Sequence, residues 1–205
     1  MRATCVIVTT AITLFSLAAI ANASITPKEE LTPRAEHKRA TRLITHFISN
    51  YHYNKPSLDD ELSKKIFDRY IEMLDPTKSY LLRSDIDEFN IHRSKLDDYL
   101  RHSDLQPVYD MYVRYRERVE ERTTKAIAIL DYPFNFDRNE TFMFDRADAK
   151  WAKDKKELDE LWRKRVKNGI LSLQLAGKEP SEINDTLEKR YQGITRRTGQ
   201  LNSED

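Results

Sequence analysis

Apolar residues recur along most of this chain at intervals of three and four, with polar residues between them. One clear segment carries Leu62, Ile66 and Tyr70 in one row and Phe67 and Ile71 in the neighbouring row. Because an α-helix turns about once every 3.6 residues, this spacing places the apolar side chains on one face, where they can pack against a core. The same pattern predicts helices at 34–51, 57–74, 84–100, 105–130 and 155–176, and a last helix from residue 180 or 181.

Local sequence also predicts how some helices begin and which faces meet solvent. Ser57 is a predicted N-cap, because the acidic residues 59–61 follow it and interact favourably with the helix dipole. Ser84 is predicted to start the next helix, with Asp87 as its capping-box partner. An exposed, ion-paired face is predicted for the 105–130 helix from oppositely charged residues one turn apart. These pairs are Arg116 with Glu120 and Glu121 with Lys125.

The segment 131–151 lacks any sustained helical period and is rich in aromatic residues and in Asp and Asn. It contains the run PFNFDRNETFMFDRADAKW. A loop of this length inside a compact domain is unusual and is often functional. We therefore predict an ordered loop pinned by its aromatic side chains, which are also the candidate protein-contact residues. They are Phe134, Phe136, Phe142, Phe144 and Trp151.

The run MLDPTKSYLL, at 73–82, raises a question about chemistry, because Ser79 directly follows Lys78 and serine–lysine pairs can hydrolyse peptides. Pro76 disfavours helical geometry at the residue before it, so 75–79 is predicted to be a turn. Residues 80–82 are then free to pack back against the preceding helix. Lys78 is expected to stay solvated and charged, and neighbouring side chains tend to point apart. We therefore predict a turn between helices rather than a catalytic centre.

Composition agrees with a helical chain. Charged residues make up 34% of the sequence and glycine occurs only four times. Abundant charge with few glycines is typical of helices with solvated outer faces. The predicted fold is all-α, an irregular multi-helix domain of about six helices over 34–205 with one long aromatic-rich loop.

The amino terminus has the order of a secretory signal. Arg2 precedes an apolar stretch at 6–20, and Ala21-Asn22-Ala23 is a small-x-small cleavage site. We expect a signal peptide at 1–23, cleavage after Ala23 and secretion, followed by a mobile leader at 24–33. The apolar stretch is too short to predict a membrane span. Cleavage would remove Cys5, the only cysteine, so no disulfide or thiolate site is expected in the mature chain.

No cofactor, metal ion or nucleic-acid partner is predicted. The five histidines form no metal-binding pair, and the four glycines form no phosphate-binding loop. One of the 35 basic residues lies in the signal, which leaves 34 basic against 34 acidic residues. The net charge therefore does not indicate a nucleic-acid partner or an anionic membrane.

The basic stretches 114–118 and 163–167 are interpreted as solvated helix faces, although the region of Lys164 could meet an acidic protein. Gly177 is a predicted helix stop.

Three long blocks carry a resemblance to a known family. They are KIFDRYIEMLDPTKSYLLRSDIDEF at 65–89, NFDRNETFMFDRADAKWAKDKKELDELWRKRVKNGILSLQLAGK at 135–178 and LEKRYQGITRRTGQLNSED at 187–205. Together they resemble the amino-terminal region of the bacterial periplasmic tail-specific protease, also called the carboxyl-terminal processing protease. The resemblance covers nearly all of the sequence after the signal, in order.

This resemblance implies a secreted serine endopeptidase that acts at the carboxyl-terminal ends of envelope proteins. It implies a helical amino-terminal domain, then a peptide-binding PDZ domain and a core with a serine–lysine catalytic pair. It further implies a lipoprotein adaptor and protein substrates. The PDZ domain and the catalytic pair have no counterpart in this sequence, so no catalytic residue is carried over to it.

Two hypotheses follow. In the first, the chain is the non-catalytic amino-terminal domain or fragment of such a protease, helping to wall the substrate cavity and to dock partners. In the second, it is a free-standing periplasmic helical protein-binding module or inhibitor. Whether the chain is a natural truncated product or a fragment stays open at this point.

Overall fold

The computed structural model describes residues 25–53 and 57–200, and in these ranges the fold is all-α, as predicted. Seven α-helices are present in the described ranges, with two short 3₁₀ helices at Lys28–Glu30 and Asn90–His92. The α-helices are α1 (Ala35–Tyr51), α2 (Asp60–Leu74), α3 (Arg83–Phe89), α4 (Leu96–His102), α5 (Gln106–Ala128), α6 (Lys155–Leu175) and α7 (Pro180–Gln200). The predicted signal peptide lies outside the described residues.

Two predicted helix starts are wrong by one or two residues. Asp59, not Ser57, caps α2, because its Oδ1 accepts the backbone N–H of Leu62 at 2.9 Å. An aspartate here both caps the helix and places its charge at the positive end of the dipole. α3 starts at Arg83 rather than Ser84, and its capping carboxylate is Asp85, not Asp87. Asp85 Oδ2 accepts the N–H of Leu82 at 2.9 Å.

The helix predicted over 84–100 is broken into α3, a 3₁₀ turn and α4. Ser63 on α2 explains where α4 begins, since its buried Oγ accepts the N–H of Leu96 at 2.7 Å and donates to the carbonyl of Arg93 at 2.9 Å. These bonds satisfy backbone groups that a continuous helix would have paired internally. At the other end of the chain Gly177 terminates α6 with a positive φ of 77°, as predicted.

Two buried clusters form the core, and α5 contributes to both. The first lies between α5, α6 and α7 and includes Trp162, Leu158 and Leu187. The second lies between α2, α3, α4 and the amino-terminal half of α5 and includes Phe67 and Met111. Because α5 spans 23 residues, it runs for about 34 Å and can serve as the common support of both clusters.

The turn at 75–79 joins the two clusters. Asp75 is buried and accepts the backbone N–H groups of Ser79, Tyr80 and Leu81 at 2.8–3.0 Å. Leu81 then packs into the second cluster and Leu82 into the first. The predicted turn is confirmed. Leu81 packs with the preceding helix α2 as predicted, but that prediction is wrong for Tyr80 and Leu82, which pack in the first cluster.

The prediction that Lys78 is a solvated amine is wrong. It is half-buried with a left-handed backbone (φ 49°), and its Nζ donates to the carbonyl of Ala149 at 2.9 Å. The same Nζ lies 5.7 Å from the centre of the Trp151 ring. Lys78 therefore fastens the turn to the long loop 131–151.

The amino-terminal segment lies against the last helix. Thr26 donates its N–H to the carbonyl of Gly199 at 2.8 Å, and Leu31 is buried. Lys28 forms a salt bridge with Glu120 on α5 at 3.0 Å. The mobility of the 24–33 leader stays a prediction.

Of the arginines predicted to be solvated on α5, Arg116 is buried and Arg114 and Arg118 are half-buried. Arg116, predicted to pair with Glu120 on an exposed face, is buried. Arg118 forms a two-pronged bond with buried Asp85, with N···O distances of 2.8 and 2.9 Å. Burial raises the pKa of Asp85, but the bonds from Arg118 and from the Leu82 N–H outweigh it and hold that pKa below its usual range. The basic stretch 114–118 is thus largely structural.

Candidate functional site

The five candidate contact residues of the loop do not lie together on one surface. Phe134 is partly buried against the first cluster, and Trp151 is partly buried against the second. Phe142 is half-buried and meets Phe144 edge to face at 5.0 Å. Phe144 is 72% exposed and Phe136 is 39% exposed. Phe134 and Trp151 therefore anchor the loop, while Phe136 and Phe144 remain available to a partner.

An ion-paired carboxylate holds the middle of the loop on α6. Glu140 pairs with Lys167 at 2.6 Å and also with Arg163. Hydrogen bonds from Lys167 and then Arg163 lower the pKa of Glu140 to about 2. Lys167 is itself buried and lies 5.6 Å from the ring centre of Phe136. The interpretation of 163–167 as a solvated face is therefore wrong for Lys167, whose charge fixes the loop.

A wide apolar groove lies beside this loop, where α5 ends and α6 begins. Its volume is about 600 Å³, and Ala126, Ile129, Phe134 and Trp162 are among its lining residues. Charged residues from both helices also line it. They are Lys125, Lys156, Asp159, Glu160 and Arg163. An apolar surface edged by charges of both signs is typical of a protein-binding site.

A second apolar surface lies on α1, and sequence reasoning did not identify it as a contact site. Leu43, Ile44, Phe47 and Tyr51 are 57–70% exposed, and Thr41 is the only buried residue of this helix. α1 packs mainly on α4, with His37 stacked near Tyr109 at 6.3 Å. Periodicity reveals such an apolar face, but it cannot tell whether the rest of the chain covers it. We call these four residues the α1 face.

The pair that raised the catalytic question has separate partners. Ser79 is buried, and its Oγ lies 2.7 Å from Thr77 Oγ1 and accepts from Arg165 Nη1 at 3.4 Å. Lys78 Nζ is instead bound to the carbonyl of Ala149. Neither neighbour of Ser79 is a base that could take its proton, since an arginine stays protonated in proteins.

Within 25–53 and 57–200, His, Cys, Asp and Glu side chains form no group of three that could hold a metal ion. Across the same part of the chain, none of the helices combines the length and apolar character that crossing a membrane requires.

Comparison with known proteins identifies the family. Residues 44–205 match the tail specific protease N-terminal domain. A tail-specific protease from Haemophilus influenzae is 38% identical over 171 residues, which are 83% of this chain and 25% of that relative. The chain thus spans about a quarter of the length of the curated relative that it matches. It therefore belongs to the tail-specific protease family, and residues 44–205 are its N-terminal domain.

Proposed function

We propose that this chain is the non-catalytic helical domain of a periplasmic tail-specific serine endopeptidase and that it docks on the remainder of the protease through the α1 face. In that position it helps to wall the cavity in which envelope proteins are processed from their carboxyl-terminal ends. The observation that carries the proposal is the exposure of Leu43, Ile44, Phe47 and Tyr51 on one helix.

Four large apolar side chains on two to three turns of one helix are costly to leave in water. Burying a side chain of this size fully contributes on the order of 1.5–3 kcal/mol. Isolated exposed apolar residues are common on protein surfaces, but a contiguous patch of this kind marks an interaction site. The α1 face is thus suited to a protein partner rather than to solvent.

The length of the Haemophilus relative favours the remainder of the protease as the partner. The chain corresponds to 25% of the Haemophilus protein, so about three quarters of such a protease lies outside it. A partner in the same polypeptide is held at high effective concentration, which adds to whatever affinity the apolar face itself provides. By the resemblance, that remainder contains the PDZ domain and the serine–lysine core, and the catalytic groups lie there.

The exposed part of the long loop is a second contact surface in this proposal. Phe136, Met143 and Phe144 are accessible, and Phe134, whose ring centre lies 6.5 Å from that of Phe136, lines the apolar groove. Substrate proteins or a lipoprotein adaptor are the partners that the resemblance implies for such a surface. The salt bridges of Glu140 keep the loop in place without a partner, so little ordering cost is added on binding.

Periplasmic location rests on the expected signal at 1–23 and on the family. Cleavage after Ala23 would release a domain whose stability needs no disulfide, which suits an oxidising compartment. Amino-terminal sequencing of the protein recovered from a periplasmic extract checks both the compartment and the cleavage position.

Association in trans tests the docking. The purified domain, carrying an affinity tag, is mixed with a separately produced PDZ-and-core polypeptide of the family, and the retained material is measured. We expect capture by the native domain and loss of capture by the Ile44→Ser/Phe47→Ser variant. Tyr53→Ser is the matched control, because Tyr53 is 97% exposed just beyond α1 and is not on the α1 face.

Loop variants separate the two surfaces. Met143→Ser/Phe144→Ser should leave capture of the core intact if the α1 face is the docking surface. Equal capture by the α1-face variant and the native domain would refute docking through α1. Capture that depended on the loop variant alone would move the docking surface to the loop.

A further inference from the structure

A cavity of about 250 Å³ lies between the turn 75–79, the loop 131–151, α6 and α7, and its lining is chemically unusual. Three arginines line it, one from the loop, one from α6 and one from α7. These are Arg146, Arg165 and Arg190. No aspartate or glutamate lines this cavity among the described residues.

These arginines differ from those that pair with acids elsewhere in the fold. Arg118, Arg122 and Arg163 each form salt bridges with carboxylates. Across 25–53 and 57–200, by contrast, no salt bridge joins Arg146, Arg165 or Arg190 to an acid. The chain as a whole is almost neutral, with 35 basic and 34 acidic residues, so three guanidinium groups without a salt-bridged carboxylate at one cavity are a local excess of positive charge. Like charges brought together repel one another, and a bound anion relieves that repulsion.

Two of the arginines are already oriented by the turn. Arg146 Nε donates to the carbonyl of Thr77 at 3.2 Å, and Arg165 Nη1 donates to Ser79 Oγ at 3.4 Å. Arg165 also lies over the Trp162 ring at 4.7 Å. Guanidinium groups held this way keep N–H donors free, and planar forks of this kind bind carboxylates and phosphates in two-pronged fashion.

The acid of the turn lies outside the cavity, and its charge acts on Arg165 from behind the wall. Asp75 is buried, does not line the cavity, and has both oxygens occupied by the N–H groups of residues 79–81. The hydroxyls of Thr77 and Ser79 also line the cavity and can add neutral hydrogen bonds to a bound oxyanion.

The remaining wall is apolar. Phe142 and Phe144 lie edge to face, and Leu161 and Ile194 line the same space. An inorganic anion would leave these side chains in contact with water, whereas an anion carried on an apolar group would cover them.

We propose that this cavity binds an oxyanion, a carboxylate or a phosphate monoester, that is attached to a small apolar group. Arg146, Arg165 and Arg190 hold the oxyanion, and Phe142 and Phe144 cover the apolar part. The site is separate from the α1 face, so the proposal of an anion site does not depend on the proposal that the domain docks on the rest of the protease.

Chemical-shift titration of the ¹⁵N-labelled protein tests the site with four defined probes. N-acetylphenylalanine presents the carboxylate and phenyl phosphate presents the phosphate monoester. N-acetylphenylalaninamide is the neutral analogue, and inorganic phosphate lacks the apolar part. We expect one or both amphipathic anions to shift the amides of 77–79 and 142–146, and the stronger of the two identifies the oxyanion. Equal binding of the neutral amide, or of inorganic phosphate and phenyl phosphate, would overturn the proposal.

Variants on α7 provide the matched comparison. Arg190 is exposed and makes no hydrogen bond to another described residue, so Arg190→Gln removes charge from the cavity without disturbing the fold. Its loss should weaken binding by about threefold to tenfold, the effect of removing one charge-assisted contact. Arg196→Gln, an exposed arginine of the same helix outside the cavity, should bind like the native protein.

Phe144→Ser tests the apolar wall in the same way. Phe144 is mostly exposed, so its replacement leaves the core intact. We expect this variant to weaken the amphipathic probes while leaving any response to inorganic phosphate unchanged. If both Arg190→Gln and Phe144→Ser bound the amphipathic probes with native affinity, the cavity would not be the binding site.

Discussion

Trp162 donates its indole N–H to the backbone carbonyl of Ser79 at 2.6 Å, and both residues are buried. The bond joins the middle of α6 to the turn that separates α2 from α3. The Trp162 ring also packs near Tyr80 at 5.4 Å and Tyr191 at 6.0 Å. One side chain thus connects the turn, α6 and α7, and the position of the turn depends on it.

Trp162→Phe should therefore destabilise the domain more than loss of ring area alone would. The variant leaves the carbonyl of Ser79 buried without its donor, which costs about 1–3 kcal/mol, and the smaller ring adds a packing loss. We expect the free energy of unfolding in urea to fall by about 2–4 kcal/mol. Trp151→Phe is the matched control, since Trp151 is only half-buried and should cost on the order of 1 kcal/mol. Equal losses in the two variants would contradict this role for the Ser79 bond.

Asp75→Ala should be among the most damaging single changes in the turn. It leaves three backbone N–H groups without an acceptor, those of Ser79, Tyr80 and Leu81. Each unsatisfied buried group costs about 1–3 kcal/mol, so we expect a loss of at least about 3 kcal/mol in urea unfolding. Asp75→Asn keeps one carbonyl oxygen and should be intermediate. Asp87→Ala, an exposed acid on α3, should stay within about 0.5 kcal/mol of the native protein.

The helices and the turn could be predicted because their signals are local. An apolar stripe at helical spacing and the helix stop at Pro76 both depend on residues that are neighbours in the sequence. The break between α3 and α4 could not be predicted this way, because it depends on the hydroxyl of Ser63 from another helix. The predicted exposure of Arg116 is wrong for a similar reason, because the charge pattern on one helix does not reveal what packs over that helix.

The candidate site was predicted only in part. The long loop was recognised by its composition, and Phe136 and Phe144 are indeed accessible. Phe134 and Trp151 pack against the core, a difference from Phe136 and Phe144 that aromatic content cannot reveal, and contact of any of them with a partner stays a prediction. The cavity with three arginines could not be predicted from the sequence, because Arg146, Arg165 and Arg190 lie on three separate elements.

Acid unfolding should depend on Glu121. Burial raises its pKa, but this is outweighed by contacts with Lys155, Arg122 and Arg118, and the pKa is lowered to about 2 from 4.5. A depressed carboxylate pKa contributes stability that is complete above pH 4.5 and is lost as pH falls towards about 2. Glu121→Gln should therefore be less stable at neutral pH and should lose less stability between those pH values.

Thermal unfolding followed by circular dichroism between pH 2 and pH 7 measures this effect. Lys155→Gln removes one of the cations, whose Nζ lies 3.2 Å from Glu121 Oε1. This variant should also lose less stability than the native protein as the pH falls, but the difference should be smaller than for Glu121→Gln. A Glu121→Gln profile parallel to that of the native protein would show that the ion cluster does not govern acid stability.

The α1 face should be dispensable for folding, in contrast to the core face of α2. Ile44 and Phe47 are more than half exposed, so Ile44→Ser/Phe47→Ser should change the free energy of unfolding by no more than about 1 kcal/mol. Phe67→Ser is the matched comparison, because Phe67 is 2% exposed and its loss should cost about 3–5 kcal/mol. A large loss of stability in the double variant would mean that α1 packs on this domain through these residues, and the α1 face would then not be a free docking surface.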